Sequence, residues 1–344
     1  MRREKPWHVV ELSGLDPRQN SLETLAGFAA QAGLSRHGWT LTKLSRRDDP
    51  ENSRIVLRAK HRSGLSYAYK FQLKPESQQG FVTHHMRQER AFHALGEDAT
   101  LTAPKPIHVS QDAQTSLFEY IKGHTFAELV RKAEGRPVQQ LDLLKQAGVW
   151  LDAYHRTQIE ERRIFQPKYT VCYYQELEKQ ITAGTATVPA RQLFLAGIRR
   201  IIELAPQFEG QQTISAIQHG DFHLSNLIRD DQRTLGLDFT SDQMAPVGHD
   251  TSKVLLDFTT LTRSAHEVAP GRVVPEDVTS AFFEGYKLVG PNDPSLAFLL
   301  YPRVLSTLAR VPQKKALRTE AKQRTLRRLR PFAKRAFQPD HFTN

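Results

Sequence analysis

The sequence predicts an α+β chain in which a small antiparallel sheet with one helix is followed by a larger, mostly helical body. Three observations carry this. Runs of β formers lie close together at Trp39–Leu44, Ile55–His61 and Ser66–Leu73, as a meander requires. From Thr125 onward the apolar positions fall at helical spacing, which points to packed helices. The length is 344 residues, and at roughly 100 to 200 residues per domain this calls for two compact bodies.

Each element has a local reason. Asn20 with Glu23 three residues later forms a capping pattern ahead of Leu22, Leu25, Ala26 and Ala29, and Gly33 is placed to end that short helix. Arg62-Ser63-Gly64-Leu65 separates two strands as a hairpin turn. A helix is expected from Thr83 to Leu95, stopped by Gly96, before Pro104 and Pro106 turn the chain into Ile107–Ile121. Helical stretches follow at Phe126–Lys132, Leu141–Thr157, Val171–Thr182 and Pro189–Leu204. A strand-rich island spans Ile217–Phe239, with Asp230-Asp231 as its turn. Helices resume near Thr251, at Pro275–Leu288 and at Pro294–Arg310. The expected organisation is an arm and short helix at 1–38, a small lobe at 39–118, a large lobe at 119–313 and a basic segment at 314–344.

Hydrophobic residues make up 39% of the chain and charged residues 25%, which excludes a disordered or fibrous protein. The 48 Lys and Arg against 37 Asp and Glu give a net charge of +11. Ten of those cations and one acid lie between Lys314 and Arg335, so the rest of the chain is nearly neutral and the basicity is local. The one cysteine, Cys172, rules out an intramolecular disulfide and suits a reducing compartment. No apolar run is long enough for a signal peptide or a membrane span, so a cytoplasmic protein is expected.

The island reads Ile217-Gln218-His219-Gly220-Asp221-Phe222-His223-Leu224-Ser225-Asn226, followed by Leu235-Gly236-Leu237-Asp238-Phe239. These groups can divide the work of phosphoryl transfer, where positioning and charge neutralisation supply most of the catalysis. Asp221 would accept the proton of an incoming hydroxyl. Asn226 through its amide oxygen and Asp238 through its carboxylate would hold a magnesium ion. Five residues from the base to the asparagine is the spacing of the protein-kinase catalytic loop.

The pattern H-G-D-x-H-x-x-N resembles the signature of the aminoglycoside phosphotransferase and choline kinase superfamily of small-molecule kinases. The resemblance implies a protein-kinase-like two-lobed fold, with ATP and Mg²⁺ as cofactors and a small-molecule hydroxyl as acceptor. It implies that Lys70, in mid-strand, contacts the nucleotide phosphates and is paired to Glu89 on the next helix. Phe118-Glu119-Tyr120-Ile121-Lys122-Gly123 is similar to the family's hinge, where the backbone of Glu119 and Ile121 would meet the adenine. Leu151-Asp152-Ala153-Tyr154-His155 resembles the helix before the catalytic loop. Val247-Gly248-His249-Asp250 resembles the segment after the metal aspartate, and Asp250 with His219 and His223 would organise the loop. The turn Ser45–Ser53 departs from the family, because it holds no glycine and carries Asp48, Asp49 and Glu51 where phosphates would lie.

Other readings weigh against these. His219 and His223 flank Asp221 at ligand-like spacing, but a hydrolytic zinc site needs further ligands and only the isolated His249 and His266 follow. A noncatalytic kinase-like module working through its basic end would bind nucleotide without turnover. Leu317, Ala321, Leu329, Phe332 and Ala336 give that end a helical apolar face, so it either packs on the large lobe or contacts an anionic surface. The acceptor is open among sugars, amino alcohols and aminoglycoside-like molecules, since Leu255–Val311 carries nearly balanced charge.

Overall fold

A computed structural model of the protein describes residues 7–10, 19–48, 53–74, 78–97 and 99–337. In chain order the elements are β1 (Trp7–Val10), α1 (Gln19–Gln31), β2 (Trp39–Asp48), β3 (Ser53–His61), β4 (Ser66–Lys74), α2 (Gln78–Leu95), β5 (Leu101–Thr102), β6 (Pro106–Ser110), β7 (Thr115–Glu119) and β8 (His124–Thr125). There follow α3 (Phe126–Lys132), α4 (Pro137–Arg156), β9 (Ile159–Ile164), α5 (Lys168–Ala183), α6 (Arg191–Leu204), β10 (Gln212–Ile217), β11 (Leu227–Arg229), β12 (Thr234–Gly236) and β13 (Met244–Pro246). The chain closes with α7 (Gly248–Thr262), α8 (Glu276–Gly285), α9 (Pro294–Ala309) and α10 (Glu320–Phe337). Contacts divide it into two units, one of residues 1–124 with 228–240 and one of residues 125–227 with 241–344.

The first unit is built on a six-stranded sheet of order β1-β2-β3-β4-β7-β6. Its pairings are antiparallel except that β1 runs parallel to β2. The expected hairpin turn at Arg62–Leu65 joins β3 to β4, with Lys60 opposite Ser66. Inward positions of β3 alternate with outward ones, which is how a sheet with one packed face reads. Leu41, Ile55, Leu57, Ala59, Tyr69, Phe71 and Leu117 are buried there with Leu25 and Ala29 of α1. The helix of the N-terminal arm is thus part of this core. β1 has no counterpart in the expectation, because four residues in a charged arm give no periodicity to read. Of the turn between β2 and β3, Asp49, Pro50, Glu51 and Asn52 lie outside the described residues.

The second unit is helical around a three-stranded sheet of order β13-β10-β9. β9 was not expected, since Ile159-Glu160-Glu161-Arg162-Arg163-Ile164 has charges where a buried strand would be apolar. It pairs antiparallel to β10 at the sheet's edge, where charge is tolerated. Trp150 of α4 is buried with its ring stacked 5.6 Å from Phe222 and 5.5 Å from Tyr154. α10 buries Leu329, Phe332, Ala333, Ala336 and Phe337, so the basic end packs by one face. Leu317 and Ala321 are exposed, correcting their assignment to that face. The 3₁₀ turn at Lys315–Leu317 breaks the helical period before α10 begins. Cys172 is exposed on α5.

Candidate functional site

In the second unit the loop after β10 is fastened from three sides. Asp250, at the start of α7, is buried and accepts hydrogen bonds from the backbone amides of His219 (2.7 Å) and Gly220 (3.0 Å). His155 Nε2 lies 3.3 Å from the same carboxylate, and its Nδ1 lies 2.8 Å from the Tyr286 hydroxyl. Burial alone would push the Asp250 pKa up, but the bond from His155 and the bond from the His219 amide hold it below the usual carboxylate value. Phe222, with none of its surface exposed, anchors the loop in the Trp150 stack. Gly220 has φ +81°, a left-handed turn that turns the next residue out of the strand direction.

Asp221 is the residue so presented, with its side chain one-third exposed (34%). One carboxylate oxygen is ion-paired to Lys253 Nζ. The other faces His223 Nε2 at 3.6 Å. His223 Nδ1 accepts from the Ser225 amide at 3.2 Å, which leaves the proton on the nitrogen facing Asp221. Burial raises the Asp221 pKa, but His223 and Lys253 overcome it and hold the carboxyl well below its ordinary range. The Asn226 amide nitrogen donates to the Asp221 carbonyl at 3.0 Å, so its oxygen is left for another partner. His219 is fully buried, and desolvation lowers its pKa to about 4; it is a neutral spacer whose Nδ1 accepts from the Asp221 amide at 3.3 Å.

Two contributors here escaped the sequence reading. Lys253 and Asp257 stand three and seven residues after Asp250, the spacing that puts all three on one helix face. Asp257 accepts from the Leu224 amide at 3.0 Å, and Lys253 holds Asp221. That face of α7 therefore grips the loop at both ends. Further cations belong to the same surroundings: the charges of Arg303 and Arg310 act on Lys253, and Arg303 donates to the His249 carbonyl at 2.8 Å.

In the first unit, Lys70 of β4 donates to Asp238 Oδ1 at 2.7 Å, and Arg54 of β3 lies 3.5 Å from Oδ2. Asp238 has φ +57°, a left-handed backbone that aspartate tolerates better than most residues. The Lys70–Glu89 pair implied by the family resemblance is not formed. Glu89 is exposed on α2, and Asp238 offers Lys70 the nearer carboxylate. α2 instead reaches this segment through Arg87, which donates to the Thr240 carbonyl at 2.8 Å. His85 is buried, and the charges of Glu89 and Lys70 both act on it. At the expected hinge, the Glu119 side chain is ion-paired to Arg233 at 2.7 Å and its amide donates to the Lys105 carbonyl at 2.9 Å. Tyr120 lies under the Arg58 guanidinium, 4.4 Å from the ring centre, and Ile121 is buried.

The proposed metal donors, the Asn226 amide oxygen and the Asp238 carboxylate, are hard oxygen ligands of the kind magnesium takes. Among the described residues no group of three His, Cys, Asp or Glu side chains is placed to hold a metal ion.

A family model described as the phosphotransferase enzyme family matches residues 45–276. No curated protein matches the chain. Among solved structures, a choline kinase from Cryptosporidium parvum Iowa II has 11% identity over 91% of this chain and 94% of its own, with a TM-score of 0.55. A thermostable mutant of an aminoglycoside phosphotransferase has 12% identity over 89% and 98%, with a TM-score of 0.53. An amicoumacin kinase in complex with AMP-PNP, Ca²⁺ and Ami has 16% identity over 85% and 87%, with a TM-score of 0.50. These likenesses establish the protein-kinase-like fold of small-molecule kinases. With about two-thirds of its length matched, the chain belongs to the phosphotransferase enzyme family.

Proposed function

We propose that this phosphotransferase moves the γ-phosphoryl group of ATP to a hydroxyl of a small molecule in a Mg²⁺-dependent reaction. The observation that carries the reading is the state of Asp221: a partly exposed carboxylate kept ionised by Lys253 and His223, on a loop fixed by Asp250 and Asp257. An ionised carboxylate at that position orients an acceptor hydroxyl and takes its proton as the bond to phosphorus forms. Lys70 would hold the nucleotide phosphates, and the backbone at Glu119 and Ile121 would meet the base. Asn226 and Asp238 would hold the magnesium ion, which when bound neutralises phosphate charge.

The surroundings of Asp221 also bear on the acceptor. Lys253, Arg303 and Arg310 supply positive charge near it, set against the carboxylates of Asp221, Asp250 and Asp257, so the local charge is balanced and selects no acceptor class by sign. Sugars, amino alcohols and aminoglycoside-like molecules are all candidate acceptors. Nucleotide binding tests the reading: ATP with Mg²⁺ should raise the melting temperature of the wild-type protein, and Asp221→Asn should keep that shift while losing turnover. An absent shift in the wild type defeats the assignment, and a shift lost in Asp221→Asn would make Asp221 structural.

A further inference from the structure

The basic end of the chain takes no part in the chemistry above, yet it shapes a cavity. Along α10, Gln323, Arg327, Arg330 and Lys334 are spaced by four, three and four residues, which sets them on one face of the helix. The opposite face is buried through Leu329, Phe332, Ala336 and Phe337, so the cationic face is held in one direction. It borders a cavity of about 700 Å³ whose polar wall is completed by Lys315, Arg318, Arg335 and His266. Leu326, Pro331 and Ala265 add apolar surface, and among the described residues no carboxylate lines it.

The nearby acids are engaged elsewhere. Glu320 pairs with Arg324 at 3.0 Å, while Glu267 and Asp277 face Arg263 at 3.7 and 2.8 Å. Arg318 and Arg335 spend donors on the carbonyls of Pro312 and Val268, both at 2.6 Å. Among the described residues Lys315, Arg327, Arg330 and Lys334 make no ion pair. Four uncompensated cations around a concavity repel one another, and an anion seated among them relieves that repulsion.

We propose that this cavity binds a small polyanion carrying two or more phosphate groups. Guanidinium groups match phosphate oxygens in fork geometry, and a lysine supplies a point charge beside them. The volume lies in the range of small-molecule pockets, roughly 300 to 1,000 Å³. The cations surround an open concavity, in which a compact ligand can reach several of them at once. None of the residues assigned to nucleotide or acceptor lines it, so the proposal does not rest on the phosphotransfer reading.

Tripolyphosphate is a suitable probe, titrated calorimetrically into the full-length protein with EDTA present. One molecule should bind the wild type, more weakly as salt rises. The double variant Arg327→Gln/Arg330→Gln should bind at least tenfold more weakly, and Lys334→Gln should show a smaller loss. These side chains are exposed, so an unchanged melting temperature in each variant confirms that the fold is kept. Lys70→Met, altered at the proposed phosphate lysine, should bind as the wild type does. No binding in the wild type, or binding that survives the double variant and is lost in Lys70→Met, overturns the proposal. So does tight binding of phosphatidylserine vesicles or a DNA duplex by a protein that ignores tripolyphosphate.

Discussion

Lys253 Nζ is ion-paired to one carboxylate oxygen of Asp221 while His223 Nε2 stands 3.6 Å from the other. A carboxylate flanked on both sides by donors is held ionised and held still. The lysine comes from the same face of α7 that supplies Asp250 and Asp257 to the loop backbone. One helix therefore sets both the position of the carboxylate and its charge.

Removing the ammonium separates these effects. Lys253→Met should lower kcat by about 10- to 100-fold, with KM for ATP within about twofold of the wild type. The Asp221 carboxyl should return toward its ordinary value of about 4, so the acid limb of the kcat profile moves to higher pH. Lys253→Arg should restore much of the rate. A lysine that served only stability would lower the melting temperature and leave the pH profile where it was.

The Lys70–Asp238 contact of 2.7 Å joins the proposed phosphate lysine to the proposed metal aspartate. Lys70→Met should weaken ATP binding at least tenfold, about 1.4 kcal/mol or more. Asp238→Ala should leave the remaining affinity indifferent to Mg²⁺. Calorimetry with and without the ion checks both, and a Mg²⁺ effect that persists in Asp238→Ala would remove that residue from the metal site.

Stability should depend on pH through the buried imidazole of His219. Its folded pKa of about 4 lies below the ordinary 6.5, so between these values the unfolded chain binds the extra proton. Its stabilising effect is full above pH 6.5 and is lost as pH falls to 4, by at most about 3 kcal/mol. Asp221 and Asp250, whose pKa values are lowered, add a further loss below that window. Denaturant melts at pH 7, 5.5 and 4.5 should show the decline, and His219→Asn should reduce it without abolishing it, because burial also lowers the His249 pKa to about 4 and that imidazole acts in the same window. A variant with the wild-type slope would place the titration elsewhere.

Gly248 opens α7 where a side chain has no room. A Cβ there would lie 2.4 Å from the Ser295 carbonyl carbon and 2.6 Å from the Leu296 nitrogen, backbone atoms that cannot turn aside. Gly248→Ala should cost about 1 to 3 kcal/mol and lower activity with it, because α7 carries Asp250 and Lys253. Equal stability and full turnover in this variant would show that α7 does not set the loop.

How much of this was legible in the sequence follows from what spacing can encode. His219, Asp221, His223 and Asn226 sit within eight residues, so one loop brings them together and the pattern announces it. Lys253 and Asp257 were on the page with the right helical spacing from Asp250, but spacing says which residues share a face and not which loop that face meets. The Lys70–Glu89 pairing, implied by family likeness, gave way to Lys70–Asp238, a contact between residues 168 apart in the chain that no local pattern encodes. β9 was hidden for the opposite reason: an edge strand needs no apolar alternation. The basic end showed its charge, but the cavity it borders depends on Ala265 and His266, about 50 residues earlier.

The central claim is phosphoryl transfer from ATP to a hydroxyl with Asp221 at the acceptor. Its most direct measurement is phosphorus NMR of ATP, Mg²⁺ and the purified protein against a panel of sugars, amino alcohols and aminoglycosides, repeated with Asp221→Asn. The expected result is a new phosphate-ester resonance with at least one acceptor, formed with ADP in equal amount and absent from the variant. A protein that binds ATP yet yields no ester with any acceptor, or an Asp221→Asn variant that forms the ester at the wild-type rate, would contradict it.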